Sequence, residues 1–338
     1  MIHAAAKGNT FGENSIMRTQ RLLPRLAGLG LILGLALPGT AAATDLTYFK
    51  TVFDTDFVAA GYGGMRGIGS GEITLAGVSG PVSEAYLYWH GPSNASTDLG
   101  TANSNVTFAG TDIVGTFLGI SDNNCWGFAN SLAYRADVSS LVTGNGLYSL
   151  ANFVKTGVDI NGVSLIVFFD DGDDSNNRDV VMFDGNDSNI SNPHDAPGWN
   201  ITLDGINYTS GDANAQFHVS DGQSFPDAAV IANGDTIAPA GAVFDGDSVP
   251  NGPSAANTAG GLWDIKDFSF TSLLSPGDNT INITSGVNSD CLSCVLIALD
   301  LPAGAAPPPP NGVPEPGVLG LLGIGLAGLG ALRRRRTG

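Results

Sequence analysis

Positive charge is what this chain lacks most. Of 338 residues only 14 are Lys or Arg, against 32 Asp or Glu. Eight of the 14 sit at the two ends (Lys7, Arg18, Arg21, Arg25 and Arg333 to Arg336), so residues 44–316 carry six basic against 31 acidic side chains, a net −25. Such a surface repels nucleic acid and anionic lipid and has no patch for phosphates, which leaves cations and neutral polymers as partners. Glutamate is nearly absent among the acids, while Gly, Asn, Ser and Thr abound. These residues favour turns and strand borders over helix interiors, so little helix is expected. The enzyme motifs G-x-S-x-G and H-E-x-x-H are both missing. Three cysteines allow one internal disulfide and leave one thiol over.

Long apolar runs occur only at the ends. Near the start, Arg18, Arg21 and Arg25 precede an apolar stretch from Leu26 to Leu37 and the small residues Ala41-Ala42-Ala43. That order predicts a signal peptide over 1–43, with Thr44 first after cleavage and Met17 as an alternative start. At the other end, Gly317 to Leu332 gives 16 uncharged residues. As a helix they reach about 24 Å, against roughly 30 Å of hydrocarbon, and Arg333 to Arg336 should stay cytoplasmic.

Pro314-Glu315-Pro316, the Gly/Leu-rich run and the arginines Arg333, Arg334, Arg335 and Arg336 together resemble a PEP-CTERM sorting signal. The resemblance covers about 26 residues. It implies a Gram-negative, polysaccharide-secreting bacterium and an exosortase that cuts near the PEP motif, after transient insertion of the tail in the membrane, and then releases or transfers the body. A plain C-terminal anchor is the bland alternative. Before the motif, "AGAAPPPPNG" at 303–312 reads as a stiff polyproline spacer.

The body between the ends shows short alternating segments bounded by Gly, Asn and Asp. Examples are "EITLAG" at 72, "EAYLYWHG" at 84, "NVTFAG" at 105, "SLIVFFDDG" at 164, "DVVMFDG" at 179, "NITLDG" at 200, "AQFHVSDG" at 215 and "CVLIALD" at 294. Period-two patterns at this spacing predict an all-β, antiparallel β-sandwich body. A weak echo links "DVSSLVTGNGLYSLANF" and "INGVSLIVFFDD" with "FSFTSLLSPGDNTINIT" and "DCLSCVLIALDLP". It suggests two related halves, 44–190 and 191–302. These stretches resemble a domain of unknown function from archaeal and bacterial surface proteins, which implies fold and location but no catalytic residue.

The densest acidic stretch holds Asp170, Asp171, Asp173, Asp174 and Asp179. It is either a calcium loop, although it does not match the EF-hand template, or a solvated loop. In an exported chain Cys125, Cys291 and Cys294 are expected to supply one structural disulfide, with the pairing open. Redox or zinc roles for Cys291-Leu-Ser-Cys294 are secondary readings, since the context is strand and further ligands are lacking. His90, His194 and His218 read as structural. Tyr86, Tyr88, Trp89, Trp126, Trp199 and Trp263 are either core or platforms for sugar rings. Asn-x-Ser/Thr at Asn94, Asn105, Asn186, Asn189, Asn200, Asn207 and Asn282 is explained by Asn-rich turns.

These features favour a non-enzymatic, exported surface or matrix protein acting in adhesion or in an exopolysaccharide biofilm, with exosortase, polysaccharide or other surface proteins as partners and calcium as the only candidate cofactor. The alternative is a secreted carbohydrate-binding or carbohydrate-active protein that uses the acidic loop and the aromatics.

Overall fold

A computed structural model describes residues 45–194, 196–249 and 261–306. The expected leader, most of the proline-rich spacer and the sorting tail lie outside the described residues. Among those residues the chain forms 17 strands and one short 3-10 turn, Thr271–Leu273. No helix among them is long and apolar enough to cross a membrane.

The strands run in two series. The first comprises β1 (Thr47–Tyr62), β2 (Gly71–Leu75), β3 (Val82–Ser93), β4 (Asn105–Phe108), β5 (Thr111–Val114), β6 (Thr116–Ser121), β7 (Asn130–Asp137), β8 (Gly146–Ala151) and β9 (Gly162–Phe169). The second comprises β10 (Arg178–Ser188), β11 (Trp199–Tyr208), β12 (Asn214–Ser220), β13 (Val230–Ala232), β14 (Asp235–Ala238), β15 (Trp263–Ser269), β16 (Gly277–Ser285) and β17 (Ser293–Pro302). Every pairing is antiparallel.

Strand order shows an internal repeat. In the first series an outer sheet β2-β8-β4-β5 accompanies the inner strands β1-β9-β3-β7-β6; in the second, β11-β16-β13-β14 accompanies β10-β17-β12-β15. Each strand of the second series takes the place of one in the first, in the same chain order, and β6 is the single addition. Even the turns agree. The pair β4/β5 closes on Ala109-Gly110 and β13/β14 on Asn233-Gly234, with all four residues at positive φ, the two-residue turn that suits strand twist. The break between the series falls in the loop 170–177, so β10 pairs with the second series although it precedes residue 190.

The two inner sheets share β1. Its first part pairs with β10 and its second with β9, and the register shifts between Val52 and Thr55, where Asp54 has φ 51°. At this bulge the strand passes from one inner sheet to the other, and the two then face each other. Contacts across them include the Phe49 and Tyr86 rings at 5.3 Å and the Tyr88 hydroxyl donating to Asp184 at 3.0 Å. The result is four β-layers, outer, inner, inner, outer.

Three apolar clusters fill the gaps. Leu87, Trp89, Leu165 and Val167 meet Ile73, Phe108 and Leu150 under the first outer sheet. Phe217, Ile297 and Leu299 meet Ile201, Leu203, Ile281 and Ile283 under the second. Tyr86, Tyr88, Ile166, Phe168, Met182, Leu296, Ala298 and Trp263 pack between the inner sheets. Because an inner strand has core on both faces, all eight residues of β9 are buried and its sequence runs apolar without alternation.

Candidate functional site

The seam between the inner sheets is polar at one end, and both strand histidines sit there. His218 on β12 meets the Ser164 hydroxyl on β9 at 2.7 Å through Nδ1, and its Nε2 meets Gln216 Oε1 at 3.1 Å. Trp263 Nε1–H also donates to the Ser164 oxygen at 2.7 Å. Ser164 therefore accepts from Trp263 and donates to His218 Nδ1, which leaves the proton on Nε2 for Gln216. His90 on β3 repeats the arrangement: Nδ1 lies 2.6 Å from the Ser220 hydroxyl, which accepts from Asn161 at 2.9 Å. Burial drives both imidazoles down to about 3, assisted at His90 by the charge of Arg66. Both stay neutral and enclosed, as expected of structural residues. His194 lies in a loop, its N–H donating to the Asn192 side chain at 2.8 Å.

Beside His90 the seam ends in a buried ion pair. Arg66 lies flat on the Trp126 ring, 3.5 Å from its centroid, and pairs with Asp221 at 3.3 Å and with Asn161. Trp126 Nε1–H donates to both Asp221 oxygens, at 2.7 and 3.0 Å. Next to Trp126, Cys125 in the β6–β7 loop is bonded to Cys291 in the β16–β17 loop, 166 residues away. The disulfide thus ties the first series to the second. Cys294 is the free thiol, buried on β17 with its pKa raised by burial. With Cys291 committed to Cys125, the Cys291-to-Cys294 spacing builds no redox pair.

A second polar group closes the end of the β12–β17 half. Asp290 accepts from the backbone N–H of Gln223 at 3.0 Å and of Cys291 at 2.9 Å, and Asp227 accepts from Val243 and Phe244 at 2.8 Å each. Asp264 accepts from Gly246 N–H and the Ser248 hydroxyl, both at 2.8 Å. These buried carboxylates clasp three loops together. Burial raises their pKa values to about 6 at Asp227 and Asp264 and about 7 at Asp290, where the charge of Asp227 adds to it.

The acidic stretch divides in two. Asp170, Asp171, Asp173 and Asp174 are exposed on the linking loop, and the first three turn their carboxylates onto the local chain. Asp170 accepts from Gly172 N–H and Asp171 from Asp173 N–H, both at 2.8 Å, and Asp173 from Ser175 N–H at 3.0 Å. Asp179 is 1% exposed on β10 and accepts from the backbone N–H groups of Asp54, Gly304 and Ala306 at 2.8 to 3.0 Å. It anchors residues 304–306 to the body. Among the described residues no three or more His, Cys, Asp or Glu side chains are grouped to hold a metal ion.

Of the two readings of the aromatics, core and platform, the strand residues take the first. Tyr86, Tyr88, Trp89, Trp199 and Trp263 are all buried, and Trp126 is covered on one face by Arg66. Strand position decides this: in β3, Trp89 faces the outer-sheet core while Tyr86 and Tyr88 face the other inner sheet. Asn186 and Asn189 are likewise buried, whereas Asn94, Asn105, Asn200, Asn207 and Asn282 are exposed. A shallow groove of about 360 Å³ runs beside β1, lined by Ala59, Gly61, Thr74, Gln216, Ser248 and Asp267. Sequence reading did not find the Arg66–Asp221 pair; a lone buried arginine has no periodic signature, and its partner lies 155 residues away.

All six cations of the body are engaged within it. Lys50 pairs with Glu84, Arg66 with Asp221, Arg135 with Asp184, Arg178 with Asp300 and Lys266 with Asp245, and Lys155 donates to Asn103 at 2.5 Å.

No curated protein matches the chain. Residues 312–336 match the family described as the PEP-CTERM protein-sorting motif. Such a motif marks a precursor that is exported, held in the membrane by its tail and processed by an exosortase at the cell surface. The chain therefore carries a PEP-CTERM sorting motif at its residues 312–336.

Proposed function

We propose that the body is a non-enzymatic component of the extracellular matrix, or an adhesin, that acts by multivalent weak contact with extracellular polysaccharide or other surface proteins. The observation that carries this reading is the sorting motif at 312–336 behind a disulfide-tied β body. Disulfides persist outside the cytoplasm, so the Cys125–Cys291 bond suits the same address. The non-enzymatic part rests on commitment: His90, His218, Asp179, Asp221, Asp264 and Asp290 are buried and spend their hydrogen bonds holding strands and loops. The exposed aspartates Asp170, Asp171, Asp173 and Asp174 serve in weak cation bridging, with calcium as the natural ion.

The test is binding of the purified protein to the producing cell's own extracellular polysaccharide, with and without calcium, while the polymer is assayed for shortening. Binding without shortening is expected, with partial loss in chelator. Shortening of the polymer would make the protein an enzyme and overturn the proposal; absence of binding would remove polysaccharide as the partner.

A further inference from the structure

We infer that the outer face of the β11-β16-β13-β14 sheet binds an uncharged polysaccharide through a preset array of amides and hydroxyls. The inference rests on the polysaccharide reading above and names the surface and the class of polymer. Its basis is a tripeptide that occurs twice: Asn200-Ile201-Thr202 on β11 and Asn282-Ile283-Thr284 on β16. The two copies are direct antiparallel partners in matched register, Asn200 opposite Thr284, Ile201 opposite Ile283 and Thr202 opposite Asn282. Both isoleucines are fully buried in the core, so alternation sends both asparagines and both threonines outward, where all four are exposed.

The outcome is a rectangle of two amides and two hydroxyls, spaced about 4.8 Å across strands and about 6.8 Å along them. The Thr202 hydroxyl donates to Asn282 Oδ1 at 3.0 Å, which fixes that amide across the strand pair. Asn233 braces β16 beside the rectangle, its Oδ1 accepting the Asn282 backbone N–H at 2.8 Å and its Nδ2 donating to the Thr280 carbonyl at 3.0 Å. Thr236, exposed on β14, extends it further.

Charge selects the partner. None of Asn200, Thr202, Asn233, Thr236, Asn282 and Thr284 is charged, while the exposed acids Asp204, Asp235 and Asp278 stand on the same strands around them. An acidic polymer would be repelled by the body as a whole, whereas a neutral polymer meets no such barrier. Its hydroxyls both donate and accept, as the amides and hydroxyls of the array do. The corresponding face of the first repeat differs, because on the matching pair β2/β8 Glu72 lies opposite Ser149 and Thr74 opposite Leu147, so a carboxylate and a leucine interrupt the pattern. The array therefore belongs to one face only.

The experiment uses the full chain in detergent micelles and the producing cell's extracellular polysaccharide, split by anion exchange into neutral and acidic fractions. Thr202→Val with Thr284→Val removes both hydroxyls and keeps strand-favouring residues. Thr74→Val with Ser149→Ala, on the other outer face, is the control. The parent should bind the neutral fraction, the Thr202/Thr284 variant at least 10-fold more weakly, and the control as the parent does. If the threonine variant melts below the parent, Asn200→Asp with Asn282→Asp, which changes charge and little shape, should weaken binding equally. Binding to the neutral fraction that none of these face variants weakens would overturn this inference and leave the polysaccharide reading standing, as would preference for the acidic fraction. A parent that binds neither fraction would overturn both.

Discussion

Asp227, Asp264 and Asp290 show how single residues trade solubility of charge for loop architecture. Asp227 holds the N–H groups of Val243 and Phe244, Asp264 that of Gly246 in the same loop and Asp290 those of Gln223 and Cys291, and each has a pKa above the ordinary carboxylate value of 3.8 because burial disfavours its charge. A carboxyl raised in the folded state takes up its proton there first. Its favourable contribution is complete below pH 3.8 and is lost as pH rises, through about 6 for Asp227 and Asp264 and about 7 for Asp290. His90 and His218 run the other way, since their contribution is complete above 6.5 and is lost as pH falls towards about 3. Asp290→Asn isolates one carboxyl from this opposition. Between pH 5 and pH 8 the stability of the variant relative to the parent should improve by on the order of 2 kcal/mol, a pKa unit being worth about 1.4 kcal/mol. Melting curves of both proteins at the two pH values check it, and parallel shifts would show that Asp290 does not titrate in this range.

Among the elements, the inner strands and the disulfide hold the halves together. Leu165 on β9 is fully buried, and Leu165→Ala should cost about 2–5 kcal/mol in urea unfolding by emptying a packed site. Cys125→Ser should cost about 2–5 kcal/mol, because the bond closes a loop spanning 166 positions and its loss frees the unfolded chain. A reductant that leaves the unfolding curve of the parent unchanged would contradict the second figure. Much of this level was legible in the chain. Each of the eight quoted segments falls on a strand, four of them running on into the turn that ends it, and the echo between 137–171 and 268–302 falls on β8/β9 and β16/β17, which occupy matching places in the two series. Less legible was whatever depends on the second face of an inner strand. The pattern of β3 shows two faces, but nothing in it says that both are covered, so Tyr86 and Tyr88 could be taken for platforms. The passage of β1 between sheets depends on a bulge at Asp54 that no local composition announces. The choice of Cys125 as partner for Cys291 needed the two series to be brought face to face.

At the scale of the whole molecule, an acidic body with all six cations turned to internal partners is under self-repulsion. Sodium chloride should therefore raise its melting temperature, by screening over about 10 Å at 0.1 M. Thermal scans from 10 mM to 500 mM salt check this, and a flat or falling curve would mean that internal pairs outweigh surface repulsion. Asp179 fixes Gly304 and Ala306 against the body, so the folded part reaches to the foot of the proline-rich segment. From there seven residues, 307–313, separate the body from Pro314, about 22 Å if extended as polyproline. The most direct test is the intact mass of the protein recovered from outside the producing cell. The account predicts a chain that begins at Thr44, ends before Gly317 and is two hydrogens lighter for the Cys125–Cys291 bond; a recovered chain that still carries Arg333 to Arg336 would contradict it.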